Sequence, residues 1–261
     1  RMALCYPSEY RVGMSGLTIP LLYWLFNSHP LVACERGFHR VGQEAPKSLE
    51  SGQSLRRFDV VAFTLQYEED YVNVVSALKQ AKIPPRRRHR EGGEYPLVIA
   101  GGPCAAENPL PLSEFVDAFV IGEVEPIRDE LVDALINRSL EELASVKGVY
   151  VPGLNQERIS RVYVKRLDDA PFPTSQLIVK APHGHKLAPV FDASFKVEVS
   201  RGCPRSCRFC LIKRVGAPFR LRSLEKLVEL IDEGVELTRV GAVSLIGAAV
   251  GDYPVSYTHL R

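Results

Sequence analysis

Residues 203–210 space three cysteines as C-x3-C-x2-C, inside the stretch SRGCPRSCRFCLIKR at 200–214, and no cysteine follows them. Structural metal centres built on thiolates are usually closed by four protein ligands, and here one loop offers three. The nearest histidines, His183 and His185, would have to fold back around the loop to complete a tetrahedral zinc site. A bacterial ferredoxin run is C-x2-C-x2-C with a distant fourth cysteine, and differs in the first gap. A tight loop of this spacing also suits three corners of an iron–sulfur cubane, whose fourth iron then lacks a protein ligand. On spacing alone, both metals stay open.

The loop's surroundings narrow the fold. Phe195, Val197 and Val199 alternate with Lys196, Glu198 and Ser200, the pattern of a half-buried strand leading into the cysteines. Ser223 is placed to cap a helix running to about Leu237, with Leu224, Leu227, Val228 and Ile231 as its apolar face. Arg239–Ile246 is the next strand. Strand, long loop, helix and strand begin a parallel α/β unit.

The first half alternates in the same way. Ala3–Tyr6, Asp59–Leu65, Leu97–Ala100 and Asp117–Ile121 are short apolar, β-rich runs. Between and after them lie helical patterns at Leu17–Phe26, at Glu69–Lys82 with Val72, Val75, Leu78 and Ala81 on one face, and at about Pro126–Asn137. Ser139 with Glu142 forms a capping box for a further short helix. The expectation is a doubly wound parallel sheet, with ligands at the carboxyl ends of its strands, where Gly101-Gly102 and Gly122-Glu123 fall. From Tyr150 to about Pro189 the chain reads as an irregular connection. Val162 and Val164 suggest a hairpin strand there, and Pro171, Pro173, Pro182 and Pro189 punctuate it.

A net charge of +2 is too small to argue for nucleic acid or an anionic surface, although Val199–Leu224 carries seven basic residues and no acidic one. Arg86-Arg87-Arg88-His89-Arg90 reads as a solvated loop. Cys5, Cys34 and Cys104 are scattered, which is not the stapled pattern of a small secreted domain, and a reducing compartment is expected. The longest apolar run, Leu17–Phe26, is about half a membrane span. Leu31-Val32-Ala33-Cys34 looks like a lipoprotein cleavage box, but Pro20 interrupts the preceding run and Asn27–Pro30 separate the two. The chain is read as cytoplasmic, with no membrane partner.

C-x3-C-x-φ-C with an aromatic φ, here Phe209, following a strand, resembles the signature of the radical S-adenosylmethionine (SAM) superfamily. The resemblance implies a 4Fe-4S cluster on Cys203, Cys207 and Cys210 whose free iron chelates SAM. It implies one-electron cleavage of SAM to a 5′-deoxyadenosyl radical, the start of a TIM-like barrel, and an external electron donor such as a reductase, flavodoxin or ferredoxin. Phe209 is placed at SAM, as are Gly247, Ala248 and Ala249, which stand where the family carries a Gly-Gly-Glu-like turn. The glutamate is missing. Arg201, Arg205 and Arg208 are candidates to offset the cluster's negative charge.

The first half resembles the cobalamin-binding, flavodoxin-like domain fused ahead of many such enzymes. The resemblance rests on the 59–65 strand, LVIAGGP at 97–103 and FVIGEVE at 119–125. It places Ser8, Tyr10, Gly13, Thr64, Gly101, Gly102, Gly122 and Glu123 at cobalamin. Where the family has D-x-H-x-x-G, this chain has Ser8-x-Tyr10-x-x-Gly13, with neither the aspartate nor the cobalt-ligating histidine. Cobalamin and no cofactor both stay open.

The expected organisation is a cobalamin-binding-like domain at 1–150, a linker with a hairpin at 151–190, the first barrel unit at 191–254, and a non-native tail at 255–261. The chain is expected to be a fragment that is inactive alone. With cobalamin, the reaction class is methylation or rearrangement. A zinc-bound nucleic-acid module, with tRNA among its partners, and a non-enzymatic cobalamin carrier or sensor are the alternative readings.

Overall fold

The computed structural model describes residues 1–254 apart from 93, 155–157, 183, 186, 189 and 192. The expected tail at 255–261 lies outside the described residues, as do His183 and Pro189. The chain divides into two compact units, one made of residues 1–13 and 22–163, the other of residues 14–21 and the chain from 164 onward.

The first unit is built on a six-stranded sheet. Its elements run β1 (Met2–Tyr6), α1 (Tyr10–Gly13), α2 (Thr18–Asn27, whose first turn groups with the second unit), β2 (Cys34–Phe38), β3 (Val60–Thr64), α3 (Asp70–Gln80), β4 (Leu97–Gly101), α4 (Pro103–Glu107), β5 (Ala118–Val120), α5 (Arg128–Asn137), α6 (Leu140–Ser145) and β6 (Val149–Tyr150). The strand order is β2-β1-β3-β4-β5-β6, parallel except for β6, which runs antiparallel to β5. The doubly wound parallel sheet is therefore present. β1 and β3, each buried along its length, are neighbouring interior strands. β2 was not expected, because Glu35 and Arg36 break its apolar pattern. It is an edge strand, and Arg36 pairs there with Glu50 at 2.7 Å.

α3 faces the sheet differently from its expected stripe. Val72 is 63% exposed, and the buried positions are Asp70, Asn73, Val74, Ala77 and Leu78. Its polar positions 70, 73 and 76 are spent on loops at the carboxyl edge of the sheet. Asp70 accepts the N–H groups of Gln66 and Tyr67, after β3. Asn73 donates to the Pro7 carbonyl, after β1, and accepts the Val41 N–H, after β2. Ser76 lies 2.9 Å from the ring of buried His39. One helix thus fastens three loops beside the candidate cofactor edge.

Two further expectations are corrected. Arg90 is buried and pairs with Asp117 at 2.8 Å, also donating to the carbonyls of Pro84, Pro85 and Phe115, so the basic run 86–90 is not simply solvated. Val162 forms no hairpin strand; it makes one parallel bridge to Gly122. Gly122 holds φ +124, and a Cβ there would overlap the Val162 backbone. Gly122→Ala therefore combines a disallowed backbone with overpacking and should cost at least about 2 kcal/mol, read as a lower urea midpoint.

The second unit holds β7 (Phe195–Glu198), β8 (Ser200–Arg201), α7 (Ile212–Val215), β9 (Arg220–Leu221), α8 (Leu224–Thr238) and β10 (Val243–Ile246). β7 and β10 pair in parallel on either side of α8 in the sequence, which is the expected β-α-β unit. Phe195, Val197 and Val199 form its core with Leu227, Leu230, Leu17 and Phe172. Ser223 caps α8 by accepting the Lys226 N–H. The buried face of α8 is Leu227, Leu230 and Gly234, and Val228 points outward at 46% exposure, unlike the expected face. Lys196 and Ser200 are buried too, so β7 is covered on both faces. Side chains close its free edge. Gln176 accepts the Lys196 N–H and donates to the Lys196 carbonyl, and Arg222 Nε donates to the Glu198 carbonyl.

Candidate functional site

The three cysteines follow the carboxyl end of the first strand in the β-α-β unit. β8 and β9 pair antiparallel and close the base of the excursion that carries them, Ser200 opposite Leu221 and Arg201 opposite Arg220. Above that base the backbones of Gly202 and Gly216 touch. Gly202 sits at φ +76, and a Cβ on it would lie 2.5 Å from the Gly216 carbonyl oxygen. Only glycine allows this neck. Residues 203–215 are thereby set off as a loop with fixed ends.

Within the loop all three thiols are free, Cys203 and Cys210 half-buried and Cys207 exposed. Cys207 and Cys210 close a turn, the Cys210 N–H donating to the Cys207 carbonyl at 3.2 Å. A cavity of about 710 Å³ opens on this side, lined by both of these cysteines with Phe209, Arg208, Lys213 and Arg214 among its walls. That volume is in the range of small-ligand sites. Phe209, 90% exposed, presents a whole aromatic face to it.

Among the described residues no three His, Cys, Asp or Glu side chains stand together as a metal-ligand group, and the three cysteines are no exception. They share one loop without converging. The donor chemistry nevertheless fits a soft metal centre: three free thiols on one loop, with open volume beside Cys207 and Cys210.

The structure sorts the basic residues of this region. Arg201 pairs with Glu198 at 2.9 Å, and Arg205 with Asp252. Arg220 and Arg222 are buried and donate to backbone carbonyls. Arg208, Lys213 and Arg214 line the cavity, Lys213 also touching the Ser206 hydroxyl. Of the three arginines expected to offset cluster charge, Arg208 is the one at the cavity without a carboxylate partner among the described residues. Gly247 ends β10 against the first strand, where a Cβ would lie 2.5 Å from Ser200 Oγ. Ala248 and Ala249 follow it, exposed and half-buried respectively, at the same carboxyl end.

In the first unit, the eight residues expected at cobalamin all follow the carboxyl ends of neighbouring parallel strands. Ser8, Tyr10 and Gly13 come after β1, Thr64 ends β3, Gly101 and Gly102 end β4, and Gly122 with Glu123 follow β5. The order β2-β1-β3 puts the topological switch point between β1 and β3, where Tyr10 and Thr64 lie. Tyr10 rests edge-on against Phe38, ring centroids 5.1 Å apart. Thr64 is buried and accepts from the Gln66 side chain. Gly102 is occupied structurally, since a Cβ on it would meet the Leu65 backbone at 2.5 Å. Sequence reasoning missed His39, Asp70 and Asn73 at this edge. Burial holds the His39 ring below the usual histidine range and raises the Asp70 carboxyl. Their signal was the polar spacing at 70, 73 and 76.

Comparison with known proteins accords with this geometry. The model of a family described as radical SAM proteins, N-terminal, matches residues 18–152. An uncharacterised protein of Methanocaldococcus jannaschii is 34% identical over 256 residues, 97% of this chain and 50% of that protein. An uncharacterised methyltransferase of Pyrococcus horikoshii is 32% identical over 142 residues, 52% of this chain and 30% of that protein. The chain thus spans half or less of the curated relatives it matches. Among solved structures, the fold is similar to the radical SAM methyltransferase TsrM from Kitasatospora setae, with cobalamin and a 4Fe-4S cluster bound (TM-score 0.56, 14% identity, 95% of this chain and 47% of that one). It is also similar to the cobalamin-dependent SAM radical enzyme OxsB with aqua-cobalamin and SAM bound (TM-score 0.59, 15% identity, 95% and 34%). No helix among the described residues is long and apolar enough to cross a membrane.

Proposed function

Since the chain belongs to the radical SAM proteins through their N-terminal domain family, we propose that Cys203, Cys207 and Cys210 hold a 4Fe-4S cluster at which SAM is reductively cleaved. The observation that carries this is the position of three free thiols on one necked loop that follows β7, two of them, Cys207 and Cys210, lining a 710 Å³ cavity. Held by these cysteines, a cluster reduced by an external donor would supply the one electron needed for cleavage of the SAM sulfonium to methionine and a 5′-deoxyadenosyl radical. The protein's part is placement. Cys203, Cys207 and Cys210 would hold the cluster and leave a place for SAM, the exposed Phe209 ring would stack on its adenine, and the backbone carbonyls at Gly247-Ala248-Ala249 would accept from its ammonium. Arg208 supplies positive charge at the cavity wall. The electron comes from an external donor such as a reductase, flavodoxin or ferredoxin.

The carboxyl edge of the first sheet is, on the same reading, the cobalamin face. What supports it is that the eight expected residues all fall at the carboxyl ends of the neighbouring parallel strands β1, β3, β4 and β5, next to the switch point between β1 and β3. Tyr10 stands where the resemblance would place a cobalt-ligating histidine, and a phenol is a poor cobalt ligand, so cobalamin would be held here by the strand-end residues rather than by that position. Methyl transfer is the reaction class we assign to the whole protein, because one curated relative is named a methyltransferase and TsrM is one.

Anaerobic reconstitution of the chain with iron and sulfide tests the cluster. About four irons per chain and a brown absorbance are expected, with 5′-deoxyadenosine formed by the whole protein on adding dithionite and SAM. One zinc per colourless chain, with salt-dependent nucleic-acid binding, would replace this reading by a zinc module.

A further inference from the structure

Of the three arginines around the cysteines, Arg205 pairs with the carboxylate most distant in sequence, 47 residues away. It lies between Cys203 and Cys207 and forms a two-pronged pair with Asp252, Nε donating to Oδ2 at 2.9 Å and Nη2 to Oδ1 at 2.7 Å. This fork-on-carboxylate geometry fixes orientation as well as distance. Asp252 comes from the turn that follows β10, and that turn is itself held in three ways. Gly247 packs its backbone against Ser200. The Asp252 and Tyr253 N–H groups donate to the carbonyls of Ala249 and Val250. Tyr253 is buried in the second unit's core, its hydroxyl donating to the Arg222 carbonyl at 2.8 Å. Asp252 is therefore presented from a fixed support. Arg205, two-thirds exposed, is the partner that would otherwise be free.

We propose that Asp252 is a positioning residue for the cysteine loop: by gripping Arg205 it ties the stretch between Cys203 and Cys207 to the turn after β10. With the Gly202–Gly216 neck below, the loop is then held at both its base and its middle. The role as a support for cluster binding rests on reading the three cysteines as the ligand set. The clamp itself is a property of the metal-free chain. It also gives Arg205 a carboxylate partner, so this cation serves placement rather than charge compensation. An exposed pair contributes little to global stability, and its effect belongs to the loop.

Amide hydrogen exchange of the metal-free, reduced chain separates these roles. In Asp252→Asn, exchange across residues 203–209 should quicken about two- to fivefold, while α8 and the melting temperature stay unchanged. Arg205→Lys, which keeps the charge but loses the fork, should behave like Asp252→Asn. The charge-exchanged double variant Arg205→Asp/Asp252→Arg should return the loop toward wild-type exchange. After anaerobic reconstitution, iron retained through gel filtration should fall in both single variants and recover in the double one. Unchanged loop exchange in Asp252→Asn, or full protection in Arg205→Lys, would overturn the clamp. A wild-type chain that takes up no iron would instead sink the ligand assignment, with the exchange data still judging the clamp.

Discussion

Cys207→Ala is expected to leave the chain folded but colourless after anaerobic reconstitution, with iron falling from about four per chain to background. Cys207 is exposed and makes no packing contribution, so its removal does not disturb the core. On the proposed ligand set it removes one of three thiolates with no fourth to replace it, and a cubane left with two would not be retained. The scattered cysteines give the contrast. Burial pushes the Cys34 thiol up to about 12, and burial with the nearby carboxylates of Glu68, Asp70 and Glu107 pushes Cys104 up to about 11. Such thiols are poor sources of thiolate. Cys104→Ala should keep its iron, and 5′-deoxyadenosine formation by the whole protein should track the iron in both variants. Iron at the wild-type level in Cys207→Ala would remove this residue from the ligand set.

Arg90→Ala should destabilise the first unit by about 3–5 kcal/mol, the cost of stranding a buried charge. Asp117 accepts from Arg90 at 2.8 Å and from the Val98 N–H at 2.7 Å, at the point where β4 meets β5. Burial works against both charges, raising Asp117 and lowering Arg90, and each is opposed by the other's presence. Removing the guanidinium leaves the carboxylate buried and also frees the carbonyls of Pro84, Pro85 and Phe115. Urea denaturation reads the effect as a lowered midpoint at unchanged slope. Arg88→Ala, on the exposed side of the same basic run, should stay within about 0.5 kcal/mol of wild type. Equal effects of the two substitutions would contradict the buried-pair account.

This pair illustrates what could be read in the sequence and what could not. Strands β3, β4 and β7 were legible because burial on one or both faces writes itself as consecutive or alternating apolar residues. The Ser223 cap was legible because capping is local. β2 was hidden because an edge strand tolerates charge, and Glu35 and Arg36 have partners elsewhere in the chain. The stripe of α3 was misread because three of its inward positions are polar and bind loops rather than core. At the cysteine loop, the preceding strand was legible from its alternating Phe195, Val197 and Val199. Arg205 and Asp252 are 47 residues apart in sequence, and no local pattern announces that they meet.

The passage of residues 14–21 into the second unit governs how the chain comes apart. A protease cut between Tyr163 and Val164 would open the backbone, yet residues 14–21 would remain covalently joined on their far side to residues 22–163. Leu17 and Leu21 pack in the second core, and Ser15 Oγ accepts the Val190 N–H at 2.6 Å. Excising residues 164–254 as a separate polypeptide would therefore leave that core missing side chains that only the amino-terminal piece carries. The units are interleaved along the chain, and dissecting the protein calls for a design that restores this segment to the unit it completes.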